Sequence, residues 1–178
     1  MPMIDALLME LEQEGQTTRR VLERVPDGQL AWRPHPKSYS LGQLGLHVAA
    51  TPGRVATIAS QDVFDAQAFT QSEASSRAEM LDALTEGLAT ARRTLSLMDD
   101  SRLMATWTLR VNGKPVMTVP RIGMLRTIML NHWYHHRGQL VVYFRLLGVP
   151  VPSVYGPTAD ENPFAVSEAG SAPVGAGA

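Results

Sequence analysis

The sequence predicts an all-α protein, a four-helix bundle with a small β-hairpin before the last helix. Three observations predict this class. Four stretches repeat apolar residues at three- and four-residue steps, a long polar connection follows the second stretch, and an Asn-Gly dipeptide lies between two β-prone runs. Residues 1–165 form a single domain in this prediction, and the Ala- and Gly-rich residues 166–178 form a disordered tail.

The first two helices have recognisable boundaries. Apolar residues recur along residues 4–25, and a Pro-Asp-Gly triplet ends that helix. Ser40 followed by Gln43 is the pattern of a capping box, so the second helix is expected to begin there, with His47 on its inward face. Pro52 removes a backbone hydrogen bond from this helix and predicts a kink or a restart.

The second half of the chain begins with a polar stretch, residues 60–75, which is expected to be a long connection without regular structure. Ser75 or Ser76 then caps a third helix, which is expected to end at Asp99-Asp100. The Asn112-Gly113 turn is expected to join the two strands of the hairpin.

In the second hairpin strand, Pro115 restricts that strand to a sheet edge. The fourth helix begins near Pro120 and ends at Gly148. Its predicted apolar stripe includes His132 and His136.

Histidines in the last helix indicate a metal site. His132 and His136 stand four residues apart, so their imidazoles project from one face of a helix and can reach one cation. A stable site requires at least a third ligand, and His47 is the best candidate because it lies inside another helix. His35 is flanked by prolines in a loop, and His135 points about 100° away from His136 on a regular helix.

The alternative interpretation is that these histidines are core residues. A neutral imidazole among leucines needs partners for its nitrogens, and a metal ion is one partner that suits two at once. Gln43 lies one turn before His47 and is expected to orient that ring. The chain contains no cysteine, which excludes disulfides, thiolate ligands and cysteine nucleophiles.

The charge balance argues against a nucleic-acid partner, because 16 basic residues offset 17 acidic ones and no basic run stands out. No uninterrupted apolar run approaches the roughly 18 residues that span a bilayer, so no membrane association is expected. The N-terminus lacks the features of a signal peptide. These observations predict a cytoplasmic protein.

Several segments of the chain resemble the DinB-like family, also described as DinB/YfiT-like metalloenzymes. The matching segments are residues 26–34, 40–47, 131–140 and 143–161, of which the His-His-Arg-Gly-Gln core of the third is the most specific. The resemblance implies a four-helix bundle with a long crossover, often dimeric, whose metal-binding histidines come from helices two and four. In this sequence those histidines are His47, His132 and His136.

The resemblance also implies a function. Some relatives look like thiol-dependent transferases or isomerases that use a divalent metal ion. The expected cofactor is therefore zinc or nickel. The expected partners are a small-molecule substrate, a low-molecular-weight thiol and a second copy of the chain in a homodimer. The alternatives are a non-enzymatic dimeric metal-binding stress or binding protein, and a metal-dependent hydrolase.

The sequence identifies no catalytic residue. It contains no His-Glu-x-x-His, and no carboxylate lies one helical position from the histidine pair, so transfer is preferred to hydrolysis. A hydrolase would need a base, for which His135, Asp160 and Glu161 are the candidates. Arg137 is expected either to bind an anionic substrate or to form a surface salt bridge.

Overall fold

The computed structural model describes residues 2–68 and 70–165, and it is mostly helical with a three-stranded sheet. The predicted disordered tail, residues 166–178, lies outside this range. The helices are α1 (Met3–Leu22), α2 (Leu41–Ala59), α3 (Arg77–Leu95), α4 (Asp100–Met104), α5 (Arg121–Met124) and α6 (His132–Leu146), and the strands are β1 (Val63–Ala66), β2 (Thr106–Val111) and β3 (Lys114–Pro120). None of these helices is both long and apolar enough to cross a membrane.

The capping box at the start of α2 is confirmed. Ser40 Oγ accepts the backbone N–H of Gln43 at 3.1 Å, and the Gln43 side-chain oxygen accepts the backbone N–H of Ser40 at 3.0 Å. The two bonds satisfy donors that a helix start leaves without partners, which fixes where α2 begins. His47 therefore lies two turns inside a well-anchored helix.

Pro52 does not interrupt α2, so the predicted restart is wrong. The helix continues through Pro52 to Ala59. Proline has no N–H to give the carbonyl of Val48, and the buried indole N–H of Trp133 donates to that carbonyl instead, at 2.8 Å. The hydrogen bond lost within α2 is thus replaced by one from the helix that contributes His132 and His136.

Helix α2 is central to the packing, since it contacts α1, α3 and α6. It approaches α3 closely at Gly53, where a Cβ atom would lie 2.7 Å from the Cα of Gly87. A contact this short leaves no space for a side chain, so the two glycines allow the backbones of α2 and α3 to touch.

The predicted hairpin is confirmed, but the sheet has a third strand. β2 and β3 are antiparallel, and Asn112 and Gly113 have φ of 52° and 74°, as the turn requires. Residues 60–75 are not a connection without regular structure, because they contain β1, which pairs in parallel with β2. Pro115 is on β3, an edge strand as expected.

The third helix ends earlier than predicted, at Leu95 rather than at Asp99-Asp100. Asp99 instead caps the short helix α4, where its carboxylate accepts the backbone N–H of Arg102 at 2.7 Å. Aspartate is favoured at the first position of a helix and disfavoured at the last, which explains the difference.

The last helical stretch runs from α5 through a π-helical segment, Leu125–Asn131, into α6. The wider turns of this segment advance the register, so the buried face of α6 contains Trp133, Arg137, Leu140 and Phe144. His132 and His136 are half-buried at the edge of that face rather than in the predicted core stripe. Gly148, with φ of 69°, follows the helix as predicted.

Candidate metal centre

The three histidines predicted to bind a metal ion lie together. Each of His47, His132 and His136 offers a nitrogen, and these three atoms lie within 4.8 Å of one another. His132 Nε2 and His136 Nε2 are 2.9 Å apart. His35 and His135 are exposed and do not belong to this cluster, in agreement with the sequence argument.

Gln71 sets the tautomer of His47. Its side-chain amide nitrogen donates to the carbonyl of Ser72 at 3.0 Å, and its Oε1 lies 3.1 Å from His47 Nδ1. An amide oxygen can only accept, so Nδ1 carries the proton and Nε2 of His47 presents a lone pair. Gln71 is 4% exposed, which protects this hydrogen bond from water.

Gln43 does not contact His47, so the predicted role of Gln43 is wrong. Its side-chain oxygen is used by the capping box, and its side-chain nitrogen donates to the backbone carbonyl of Gln71 at 3.1 Å. Gln43 thus fixes the position of Gln71, which in turn orients His47. Gln71 could not be found from the sequence because it lies in the connection, where no periodicity assigns a side chain to a face.

His136 is oriented in the same way. Its Nδ1 donates to the side-chain oxygen of Gln139 at 2.7 Å, which leaves Nε2 as the lone pair. Histidines that bind metal ions commonly donate their other ring N–H to such an acceptor. The pairs Gln71–His47 and Gln139–His136 both fit this arrangement.

The environment keeps the cluster neutral, as metal ligands must be. The pKa of His132 is lowered to about 4, first by burial and then by the neighbouring His136 and His47 rings. Burial is also the main cause that lowers the pKa of His47 and of His136. Near neutral pH, protons therefore compete little with a metal ion for the three imidazole nitrogens.

Two buried nitrogens support the fit of a metal ion to this cluster. His47 Nε2 and His132 Nδ1 have no hydrogen-bond partner within the described part of the chain. A buried nitrogen without a partner is unfavourable unless another group satisfies it. A divalent cation that receives the lone pair of His47 Nε2 would satisfy that nitrogen, so the residues fit the group that the sequence indicates.

Replacing Gln71 by alanine is expected to weaken metal binding by about 10- to 100-fold, because His47 loses the acceptor that fixes its tautomer. Competition with a chromogenic chelator measures the affinity. Gln71→Glu keeps an acceptor and should retain most of the affinity, and Gln67→Ala, in the same connection, should retain all of it. Unchanged affinity in Gln71→Ala would show that Gln71 does not orient His47.

Arg137 has neither of its two predicted roles. It is 1% exposed and forms a buried ion pair with Glu14 of α1, with 2.5 Å between Arg137 Nη2 and Glu14 Oε2. It also donates to the hydroxyls of Thr18 and Tyr155. This network joins α1, α6 and the C-terminal segment, so Arg137 stabilises the fold.

The carboxylates suggested as bases are used elsewhere. Asp160 pairs with Arg145 and accepts the backbone N–H of Val151, and these hydrogen bonds lower the pKa of Asp160. Glu161 accepts the backbone N–H of Ser153. His135 lies beside His136, with 5.0 Å between ring centroids. The structure therefore identifies neither Asp160 nor Glu161 as a base for the histidine cluster.

A cavity of about 380 Å³ opens beside the cluster, lined on one side by His47 and His132. Its other walls come from α2 and from the segment that contains β1. Trp107 and Trp133 are 1% and 0% exposed and belong to the core rather than to this cavity. Among the residues that the structure describes, Phe64 lines the cavity with its aromatic ring.

The fold and the cluster together define a helical protein with a candidate three-histidine metal site. The chain belongs to the DinB family, whose model matches residues 1–163. It is 26% identical over 167 residues to the uncharacterized protein YrdA of Bacillus subtilis (strain 168), a match that covers 89% of this chain and 91% of YrdA.

Two solved structures have the same fold. One is a DinB-like protein from Bacillus cereus ATCC 10987, with a TM-score of 0.68, 25% identity, and 85% of this chain and 97% of that chain covered. The other is the DinB-like protein YjoA from Bacillus subtilis, with a TM-score of 0.64, 16% identity, and 84% and 97% covered. The second likeness concerns the fold alone.

Proposed function

We propose that this protein is a divalent-metal-dependent enzyme that transfers a low-molecular-weight thiol to a small-molecule substrate, or isomerises a substrate with the help of that thiol. His47, His132 and His136 would hold the metal ion, zinc or nickel. The observation that carries the proposal is the convergence of three neutral imidazoles, two of which line a cavity, with no carboxylate in the described cluster.

The donor set determines the chemistry that the ion supplies. Three neutral ligands would leave a bound divalent ion its full double charge, which would supply the acidification of a thiol or the polarisation of a carbonyl. The chain contributes orientation and burial: Gln71 and Gln139 hold two of the rings, and the half-buried histidines limit access of water. In a transfer, the sulfur–carbon bond forms, the bond to the leaving group breaks, and the thiol proton departs with the leaving group.

Hydrolysis is the second candidate, and it requires a base close to the site. Asp65 lines the cavity, but both of its carboxylate oxygens accept the backbone N–H of Gly113, at 3.3 and 3.1 Å. Asp160 and Glu161 bind parts of the C-terminal segment. These contacts favour thiol transfer, in which the acidified thiol is itself the nucleophile.

A non-enzymatic metal-binding stress or binding protein is the third candidate. A structural site is closed by four protein ligands, whereas this cluster offers three, which favours an enzyme. The proposal includes a four-helix bundle in which residues 60–76 form the long crossover, and a cytoplasmic homodimer.

Metal analysis together with a transfer assay tests the proposed function. Protein purified without an affinity tag should contain about one zinc or nickel ion per chain, and His47→Ala and His136→Ala should lose it. His135→Ala is the matched control and should keep the ion. The metal-loaded protein should then accelerate the reaction of cysteine or glutathione with a chromogenic aryl halide.

Two outcomes would contradict the proposal. Absence of metal in every sample, even after divalent ions are added back, would show that the histidines serve packing. Metal binding that depends on all three histidines, without transfer or isomerisation across a panel of thiols, would favour the non-enzymatic protein.

A further inference from the structure

The cavity beside the histidines is elongated and has two different ends. Thr51, Val55 and Ile58 follow His47 at helical spacing along α2, so the cavity extends along this helix for about 16 Å, at 1.5 Å per residue. His47 and His132 lie at one end, and Ile58 lies at the other.

The body of the cavity is largely apolar. Its lining residues are His47, Thr51, Arg54, Val55, Ile58, Phe64, Asp65, Ala66, Gln67, Ala68 and His132. Thr51 presents little polarity because its hydroxyl donates to the carbonyl of His47 at 2.6 Å. The Asp65 carboxylate accepts hydrogen bonds from the hairpin turn. A molecule in this cavity therefore meets mainly carbon atoms between its two ends.

The opposite wall exists because of β1. The parallel pairing of β1 with β2 places Phe64 and Ala66 across from α2, at positions paired with Leu109 and Val111. Phe64 and Ala66 are half-buried. The backbone hydrogen bonds between β1 and β2 therefore hold this part of the wall in place.

We propose that this cavity is the binding site for the apolar body of an elongated organic substrate whose polar end lies at His47 and His132. The volume of 380 Å³ accommodates about a dozen non-hydrogen atoms at roughly 30 Å³ each. This inference rests on the proposed function for the reaction at the polar end. The apolar contacts along α2 and β1 do not depend on it.

A series of carboxylates tests the cavity, because the head group stays constant while the apolar body grows. Affinities of acetate, benzoate and 4-propylbenzoate for the zinc-loaded protein are measured by calorimetry. The affinity is expected to rise along the series, by at least about 100-fold from acetate to 4-propylbenzoate, since the added carbons leave water. Ala66→Trp fills the cavity and should reduce the affinity for 4-propylbenzoate to that for acetate.

The controls separate this inference from the proposed function. Val116→Trp adds the same side chain to exposed strand β3 and should leave the series unchanged. His136 does not line the cavity. His136→Ala should therefore lose the metal ion and, with it, the affinity that comes from the carboxylate head group. The increase in affinity from benzoate to 4-propylbenzoate should remain. A failed metal site and a failed cavity therefore give different results.

Two results would overturn the inference: equal affinities along the series in the wild-type protein, or an unchanged series in Ala66→Trp. If circular dichroism shows that Ala66→Trp does not fold, Ile58→Phe narrows the cavity from the α2 side and should weaken 4-propylbenzoate selectively. Unchanged binding in a folded Ile58→Phe variant would equally contradict the cavity.

Discussion

Replacement of Arg137 by methionine is expected to lower the free energy of unfolding by about 3–5 kcal/mol. The side chains of Arg137 and Glu14 are 1% and 8% exposed, so the substitution leaves a buried carboxylate without its cation. The Thr18 and Tyr155 hydroxyls lose the same donor. Urea unfolding monitored by circular dichroism measures the loss.

A double variant and an exposed pair are the controls for Arg137. Arg137→Met combined with Glu14→Leu should recover much of the stability, because no charge then remains buried. Arg145→Met breaks a pair whose side chains are 53% and 28% exposed and should change stability by only about 0–1 kcal/mol. Similar losses for Arg137→Met and Arg145→Met would show that burial does not determine the strength of these pairs.

Arg121→Met is expected to have a comparable effect, a loss of about 3 kcal/mol or more, since each buried acceptor left without a donor costs about 1–3 kcal/mol. Arg121 is 0% exposed. Its guanidinium donates to the carbonyls of Ala59, Gln61 and Arg102 and to the carboxylate of Asp62. Thermal and urea unfolding both measure this loss.

The two arginines differ in their expected effect on ligand binding. Arg121 holds the end of α2 and residues 61–62, which lead directly into β1, so its loss should also weaken 4-propylbenzoate binding in the fraction that remains folded. Arg137→Met, on the far side of α6, should leave that binding unchanged. Arg126→Met, which breaks an exposed pair with Glu10, is the matched control for stability. An unchanged free energy of unfolding in Arg121→Met would show that the buried hydrogen bonds of Arg121 do not stabilise the fold.

The features predicted correctly from the sequence are those that depend on local spacing. The Ser40–Gln43 capping box fixes the start of α2, and the four-residue step between His132 and His136 is sufficient to place both on one side of α6. His47, chosen because it lies inside another helix, does lie beside that pair, and metal binding by the three histidines stays a prediction. Each of these arguments needs only the geometry of one helix.

The features that were missed depend on distant partners. β1 has four residues, and its pairing partner lies 45 residues later, so no local pattern distinguishes it from a loop. Gln71 acts through a side-chain contact made possible by the path of the connection. The buried roles of Arg121 and Arg137 require knowledge of which carbonyls and carboxylates surround them, which arises only from the tertiary fold.

The π-helical segment explains why His132 and His136 lie at the edge of the buried face. A regular 3.6-residue repeat from Leu125 allows His132 or Trp133 as the next inward residue, and the wider turns select Trp133. Had the histidines faced the core, the neighbouring side chains would have closed the site. The change of register leaves them next to a cavity.

The hydrogen bond between Trp133 and the Val48 carbonyl connects helix packing to the position of the histidines. Because of Pro52, α2 lacks one of its own backbone hydrogen bonds until the indole of α6 arrives. His47 lies one residue before that carbonyl, and His132 lies one residue before that indole. The hydrogen bond that replaces the one lost at Pro52 therefore also sets the distance between the two halves of the histidine cluster.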